Sequence, residues 1–332
     1  MRTIRAVILG PLTAAAISTA LAAPMASAAQ DGGGSGAPGS GIRSPGGQTE
    51  RIHLYGEGPR CIRVVSAGVR TRHAIVPGAF TAGGTIVLPP GPAAGNIVWA
   101  GLYWTILSDT PPINAVTLNG APVVPIALPV TASPCWAEIS AYAYVAVVTP
   151  LVVAGPNFVA GLDDSGAFNV SPESEGASLV VVYEDPTSTA CEIIVLDGND
   201  LLSLPGQVID NMLPVTCPIG MPALLTFIGG DGQTAPTYPF TDDQLWNGVT
   251  LGDGDDFDAS DPGAPGATPD LAWDTDIYGV AAVPPFTASI AVGAGTYDCI
   301  NWVATVLEVG VENCQPTPAE SKSWGQVKSL FR

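Results

Sequence analysis

"ASLVVVYEDPTSTACEIIVLDGNDLL" runs from Ala177 to Leu202. Two apolar, β-branched runs, Leu179 to Tyr183 and Ile193 to Leu196, flank the turn-rich "EDPTSTA". Short runs of this composition bounded by Pro, Ser, Asp and Gly read as strands, and the spacing predicts a hairpin. The pattern recurs on both sides. "IVWAGLYWTIL" (Ile97 to Leu107), "AYAYVAVVTPLVV" and "NFVAGL" are strand-like, and "AVTLNGAPV" carries Asn119-Gly120, a tight-turn signal. Amphipathic helical periodicity is nearly absent. The expected fold is all-β.

A weak internal repeat sharpens this. "AGLYWT", "NAVTLNG", "YVAVVTP", "NFVAGL" and "ASLVVVYED" are followed in the second half by "ALLTFI", "NGVTLGDG", "IYGVAAVP", "FTASIAV" and "NWVATVLEV". In this alignment Val116 matches Val249, Phe158 matches Phe286 and Glu184 matches Glu308. Two tandem antiparallel β-sandwiches of jelly-roll type, from an internal duplication, are the expectation. The domains are expected at 51–202 and 203–314.

The ends read differently. Arg2 and Arg5 precede an alanine-rich apolar run to Ala23, and Ala26-Ser27-Ala28 fits a signal-peptidase site. Residues 1–28 are therefore read as a signal peptide and 29–50 as a flexible Gly/Ser/Pro linker. No later run approaches the ~20 apolar residues that span a bilayer. The expected location is extracellular or at the cell surface, with no transmembrane segment after signal cleavage. Residues 315–332 read as a linker and a short basic tail, in which Trp324, Val327 and Leu330 recur at helical spacing among Lys322, Lys328 and Arg332. Six cysteines, Cys61, Cys135, Cys191, Cys217, Cys299 and Cys314, are disulfide candidates in an exported chain, with the pairing open.

Charge excludes several functions. The net charge is −19. After His73 no Lys, Arg or His occurs until Lys322, while that span holds 27 Asp and Glu. Nucleic-acid binding by this body is excluded, because phosphates need cations. P-loop chemistry, Schiff bases and Ser-His-Asp triads lack their residues there. The basic residues cluster instead in Arg51 to Arg72, read either as the first strands of the chain's own sandwich or as a strand that pairs with a neighbouring subunit.

The chemistry left is that of carboxylates. "TLGDGDDFDASDPG" (Thr250 to Gly263) carries Asp253, Asp255, Asp256, Asp258 and Asp261. An EF-hand loop wants Gly at position 6 and Glu at position 12, and no register of this stretch supplies both. An irregular calcium site using Asp253, Asp255, Asp256 and Asp258 is one reading, and a solvated loop the other. "LDGND" (Asp197, Asn199, Asp200) and Asp231 are lesser competitors. In "LAWDTDIYGV", Asp274 and Asp276 share a strand face about 6.6 Å apart. They suit a shared metal, a carboxylate pair for glycoside hydrolysis, or a polar strand face. Calcium is the candidate cofactor. Trp99, Trp104, Trp246, Trp273 and Trp302 are expected in the core rather than on a sugar-binding platform.

"EGASLVVVYEDPTSTACEIIVLDGNDLL" (Glu175 to Leu202), with "GLYWT" and "VTLNG", resembles an uncharacterised secreted family of bacteria and archaea known as domain of unknown function 3344. The resemblance covers about Ile97 to Leu202. It implies an exported β-rich domain of surface proteins and supplies no catalytic residues. The expected function is a non-enzymatic surface or extracellular structural or adhesion protein whose partner is an extracellular polymer or protein. The alternative is a carbohydrate-active protein, either a glycan-binding module or a carboxylate-dependent glycoside hydrolase.

Overall fold

A computed structural model describes residues 49–310 apart from 56–60, 114, 133–139, 189, 218, 234–240, 253–255, 270 and 294–297. The described chain is all-β. Its strands are β1 (Thr49–Tyr55), β2 (Ile62–Arg70), β3 (Thr81–Val87), β4 (Ile97–Ser108), β5 (Thr117–Leu118), β6 (Ala121–Pro122), β7 (Ile126–Ala127), β8 (Thr131–Ala132), β9 (Ser140–Val147) and β10 (Pro156–Asp163). Then follow β11 (Glu173–Glu184), β12 (Ala190–Leu202), β13 (Val208–Met212), β14 (Met221–Gln233), β15 (Asp242–Trp246), β16 (Val249–Thr250), β17 (Leu271–Ala282), β18 (Thr287–Val292) and β19 (Ile300–Gly310).

These strands form antiparallel sheets in the orders β3-β10-β5-β6, β2-β11-β4-β9-β7, β1-β12-β19-β14-β17 and β13-β18-β15-β16. Side-chain packing stacks them in that sequence. Leu102, Trp104, Leu179 and Val181 of the second sheet meet Ile86, Leu118, Val159 and Leu162 of the first. Tyr103, Val180 and Val182, on the opposite face, meet Ile193, Val195, Val303 and Val306 of the third. Ile194, Leu196, Phe227 and Leu307 then meet Ile209, Trp246, Ile290 and Val292 of the fourth. The alternation is the two-residue period of a strand. The two inner sheets bury both faces, so β4, β11 and β19 are buried almost without interruption, whereas the outer strands β13 and β15 alternate buried and half-buried residues. Each fully buried large side chain stabilises by ~1.5–3 kcal/mol relative to exposure, so the central layer outweighs any single polar contact across it.

The hairpin expected at 184–190 is not one. β11 and β12 lie in different inner sheets, and the turn passes between layers. The edges of β11 are taken by β2 and β4 and those of β12 by β1 and β19, so the two strands do not pair with each other. By the same token β12 sits with the strands of the second half, as does β1, so the sheets do not divide the chain at residue 202.

Eight strands of the first half share their connectivity with the eight of the second. β2-β11-β4-β9 matches β12-β19-β14-β17, and β3-β10-β5-β6 matches β13-β18-β15-β16. The match moves two residue pairings: Val249 no longer falls opposite Val116, and Phe158 corresponds to Thr287 rather than Phe286, since each of these gives its N–H to the turn Asn. Asn119-Gly120 corresponds to Asn247-Gly248, not to the "LGDG" after Val249. Both turns have positive φ at both residues (54° and 79°; 54° and 80°), the mirror-image turn suited to a hairpin. In each the Asn amide nitrogen donates to a main-chain carbonyl, of Leu151 at 2.9 Å or Val283 at 2.8 Å. In each its oxygen accepts a strand N–H, from Phe158 at 2.8 Å or Thr287 at 2.9 Å.

The basic segment belongs to the chain's own body. Arg51 binds Asp197 at 2.5 Å, His53 binds Glu192 at 2.5 Å, and Arg63 lies 3.7 Å from Glu308. Cys61, Cys217 and Cys299 are disulfide-bonded, and no described cysteine is free. Cys135, Cys314 and the side chain of Cys191 lie outside the described residues, as do residues 1–48 and 311–332.

Because the two Asn-Gly turns are built alike, Asn119→Ala and Asn247→Ala are expected to destabilise by similar amounts. Each loses the two shared amide hydrogen bonds (Asn119 also its 2.9 Å bond to the Asn157 side chain) and places Ala in a left-handed conformation, about 2 kcal/mol in all. Chemical denaturation of the two variants measures this, and the Asn→Gly variants recover part of the loss.

Candidate functional site

The acidic stretch is no solvated loop where it is described. Asp256 and Asp261 are buried, Phe257 wholly so, and Asp274 is 0 % exposed. Asp253 and Asp255 lie outside the described residues. The loop lacks strand partners of its own, so its backbone N–H groups need other acceptors, and carboxylates supply them. Asp274 on β17 accepts from Ala259 N and Ser260 N, both at 2.5 Å, and from Ser260 Oγ at 3.1 Å. Asp242 on β15 accepts from Asp256 N at 3.2 Å and Phe257 N at 3.0 Å. Asp256 in turn accepts from Gln244 N at 2.6 Å, and Asp276 from Gln244 Nε2 at 2.6 Å.

The loop continues as a strap onto the first half. Arg70 N donates to Pro262 O at 3.1 Å, Ala264 N to Arg70 O at 2.9 Å, and Thr268 N to Arg72 O at 3.0 Å. Asp261 packs over β2 so closely that a Cβ on Gly68 would lie 2.0 Å from its Oδ2. A side chain here would displace the Asp261 carboxylate and the Thr275 hydroxyl. The outward edge of β2 is thus capped by acids, since Val64 N also donates to Glu308 at 2.7 Å.

Crowding raises the carboxylates' affinity for protons. Burial, opposed by the Thr275 hydroxyl, the Gly68 N–H and Arg70, pushes Asp261 up to about 7. Burial, and then repulsion from Asp261, Asp258 and Asp256, takes Asp276 to about 7 against its bond from Gln244. Asp274 is held well above the usual range by burial and by Asp276 and Asp261. Tyr278 is raised by burial and by Asp276, Asp256, Asp242 and Asp258. Asp256, Asp258, Asp274 and Asp276 are therefore brought into one acidic neighbourhood. Among the described residues, however, no group of three His, Cys, Asp or Glu side chains is disposed to hold a metal ion. Asp274 is sealed from solvent and engaged with the strap, which leaves it no face for a sugar. The tryptophans Trp99, Trp104, Trp246, Trp273 and Trp302 are core residues. Of the lesser competitors, Asp197 holds Arg51, while Asn199 bonds the Pro129 and Ala141 carbonyls at 2.7 and 2.9 Å and so ties the first half's β7–β9 segment to β12.

A second site was not read from the sequence. At the end of the first half where β2 and β10 finish and β3 and β11 begin, three loops are tied by buried charges. Arg72, 3 % exposed, binds Glu173 at 2.6 Å and lies 3.7 Å from Glu175. Asp164 accepts from His73 N at 3.0 Å, Gly166 N at 2.7 Å and Ser174 N at 2.9 Å, and Asp163 accepts from Ile113 N. His73 takes a left-handed φ of 64° between Asp164 and Glu173. The loops around this base carry exposed apolar residues. Phe80 is 86 % exposed, Ile113 85 % and Phe168 56 %, with Val170 and Ile75 beside them. Phe168 lies over the Arg72 guanidinium at 5.4 Å. Isolated loop hydrophobics such as "GAF" (78–80 and 166–168) carry no pattern in sequence, because only the fold gathers them.

No family model, characterised protein or solved structure matches the chain. The resemblance to domain of unknown function 3344 is therefore a proposal, and no site residue is transferred from it.

The raised carboxylates set a pH dependence. An unfolded aspartate titrates near 3.9, whereas Asp261 and Asp276 hold their protons to about 7. The folded state therefore binds extra protons between these values, and stability is greatest below the unfolded value and lost as pH rises through 7. Thermal unfolding is expected at a higher Tm at pH 5 than at pH 8. Asp261→Asn flattens the difference.

Proposed function

We propose that this is an exported, non-enzymatic structural or adhesion protein of the cell surface or extracellular space, and that the first half's loop end is its adhesive face. The observation that carries this reading is the rim of Phe80, Ile113, Phe168, Val170 and Ile75 around a base of buried ion pairs. Contiguous exposed apolar residues on a rigid base mark interaction surfaces, and loops at one end of a sandwich are where such folds place recognition. The partner expected is an extracellular polymer or protein. The shared connectivity of the halves supports an internal duplication. The carbohydrate-active alternative has less support, since Asp274 is engaged by the strap.

The test is binding of labelled protein to extracellular-matrix proteins, cell-wall polymers and a glycan array, with Phe80→Ser/Ile113→Ser as the comparison. Both side chains are solvent-exposed, so the variant's stability is expected within about 0.5 kcal/mol of the parent, with binding at least tenfold weaker. Equal binding by the two proteins sinks the adhesive reading of this face.

Calcium stabilisation is a second reading, favoured by the charges of Asp242, Asp256, Asp258 and Asp276, which all lie near enough to raise Tyr278; a bound ion would need oxygens beyond these, since no three described acids are disposed to hold one. A ligand bound only by the folded state raises Tm through mass action. Calcium is then expected to raise Tm over chelator at pH 8, and Asp258→Asn to remove the rise. An identical Tm in calcium and chelator rejects this reading.

A further inference from the structure

The loop end has a complement elsewhere in the same chain. Lys322 to Arg332, outside the described residues, combines apolar Trp324, Val327 and Leu330 with three cations, Lys322, Lys328 and Arg332. These are the first Lys or Arg after Arg72. The loop end offers the opposite pattern. Its rim is apolar, and its base sets four carboxylates, Asp163, Asp164, Glu173 and Glu175, against Arg72 and His73. An apolar segment carrying cations suits that surface both by burial and by charge.

Geometry favours a second copy as the supplier. The chain leaves β19 at Gly310, which is paired with Ala190 at the start of β12. That is the end of the stack where β11 finishes at Glu184, whereas the rim stands at the end where β11 begins at Glu173. The twelve residues of β11 cover about 40 Å. Residues 311–323 reach at most about 45 Å when fully extended, so to reach its own loop end the segment must run taut along the whole stack. A second copy, set end to end, meets it without that stretch.

We propose that the segment Lys322–Arg332 of one copy docks on the Phe80–Ile113–Phe168 loop end of the next, giving a head-to-tail contact between copies. Such a contact is heterologous, and unless its rotation closes a ring it propagates into an open chain. The inference rests on the reading of the loop end as a docking face, and it names the partner.

Sedimentation velocity of the full chain over a wide concentration range tests it. The expected result is self-association that weakens with salt. Deletion of 322–332, the Lys322→Glu/Lys328→Glu/Arg332→Glu variant and Phe80→Ser/Ile113→Ser each weaken it at least tenfold, and a synthetic peptide of residues 320–332 disperses the assemblies. A chain that stays monomeric throughout, or association that survives both tail variants, overturns the proposal. If Phe80→Ser/Ile113→Ser abolishes adhesion while the parent is monomeric, the adhesive reading stands and the tail contact falls. If the variant loses self-association but keeps adhesion, the tail contact stands and the adhesive reading falls.

Discussion

β11 lies in a sheet with no solvent face. Leu179 and Val181 point into one layer, Val180 and Val182 into the other, and all four are fully buried. The partner sheet is built the same way around β19. Two sheets that each need cover on both faces satisfy the requirement by packing on each other and taking one outer sheet apiece. The depth of the stack, the passage of the chain between layers at 184–190 and the position of β1 follow from this. β1 adds Ile52 and Leu54 to the central layer and covers the edge of β12.

The same burial shapes the electrostatics. Between Ala74 and Ser321 the chain has no cation of its own, so its buried acids must find other partners. Some meet the cations of the Arg51–His73 segment, as Asp197, Glu192 and Glu173 do. The others accept backbone N–H groups, and Asp274, Asp242 and Asp164 each gather several. A carboxylate used this way orders a loop that has no ladder of its own. Where such groups crowd, as at Asp261 and Asp276, they retain protons that isolated aspartates lose. Structural use of an acid and a raised proton affinity are here two results of one packing arrangement.

Much of this was legible in the residues. The apolar runs at 97–107 and 177–183 are strands, the five tryptophans are core, and Asn119-Gly120 is a hairpin turn, because each depends on local composition or a two-residue period. The matching of Val116 with Val249 failed for an instructive reason. It followed the shared "VTL" letters, whereas the turn geometry follows Asn-Gly, which recurs at 247–248 one element earlier. A solvated loop was one of two readings of the acidic stretch, since five aspartates among small residues look hydrophilic, and burial of Asp256 and Asp261 argues against it where the stretch is described. The burial of Asp261 depends on β2, which lies far away in sequence and presents Gly68 to it. The rim of Phe80, Ile113 and Phe168 left no signal, since its members are single residues in three separate loops.

By itself the sequence determined the class of fold and the strands, because strand propensity and turn chemistry are properties of short segments. Tertiary structure decided which faces meet. It made a turn at 184–190 into a passage between layers, turned an acidic loop into a strap across the two halves and assembled scattered hydrophobic residues into one exposed end. These outcomes depend on the closing of contacts between distant strands, and no local pattern of residues encodes which of the available faces will be covered.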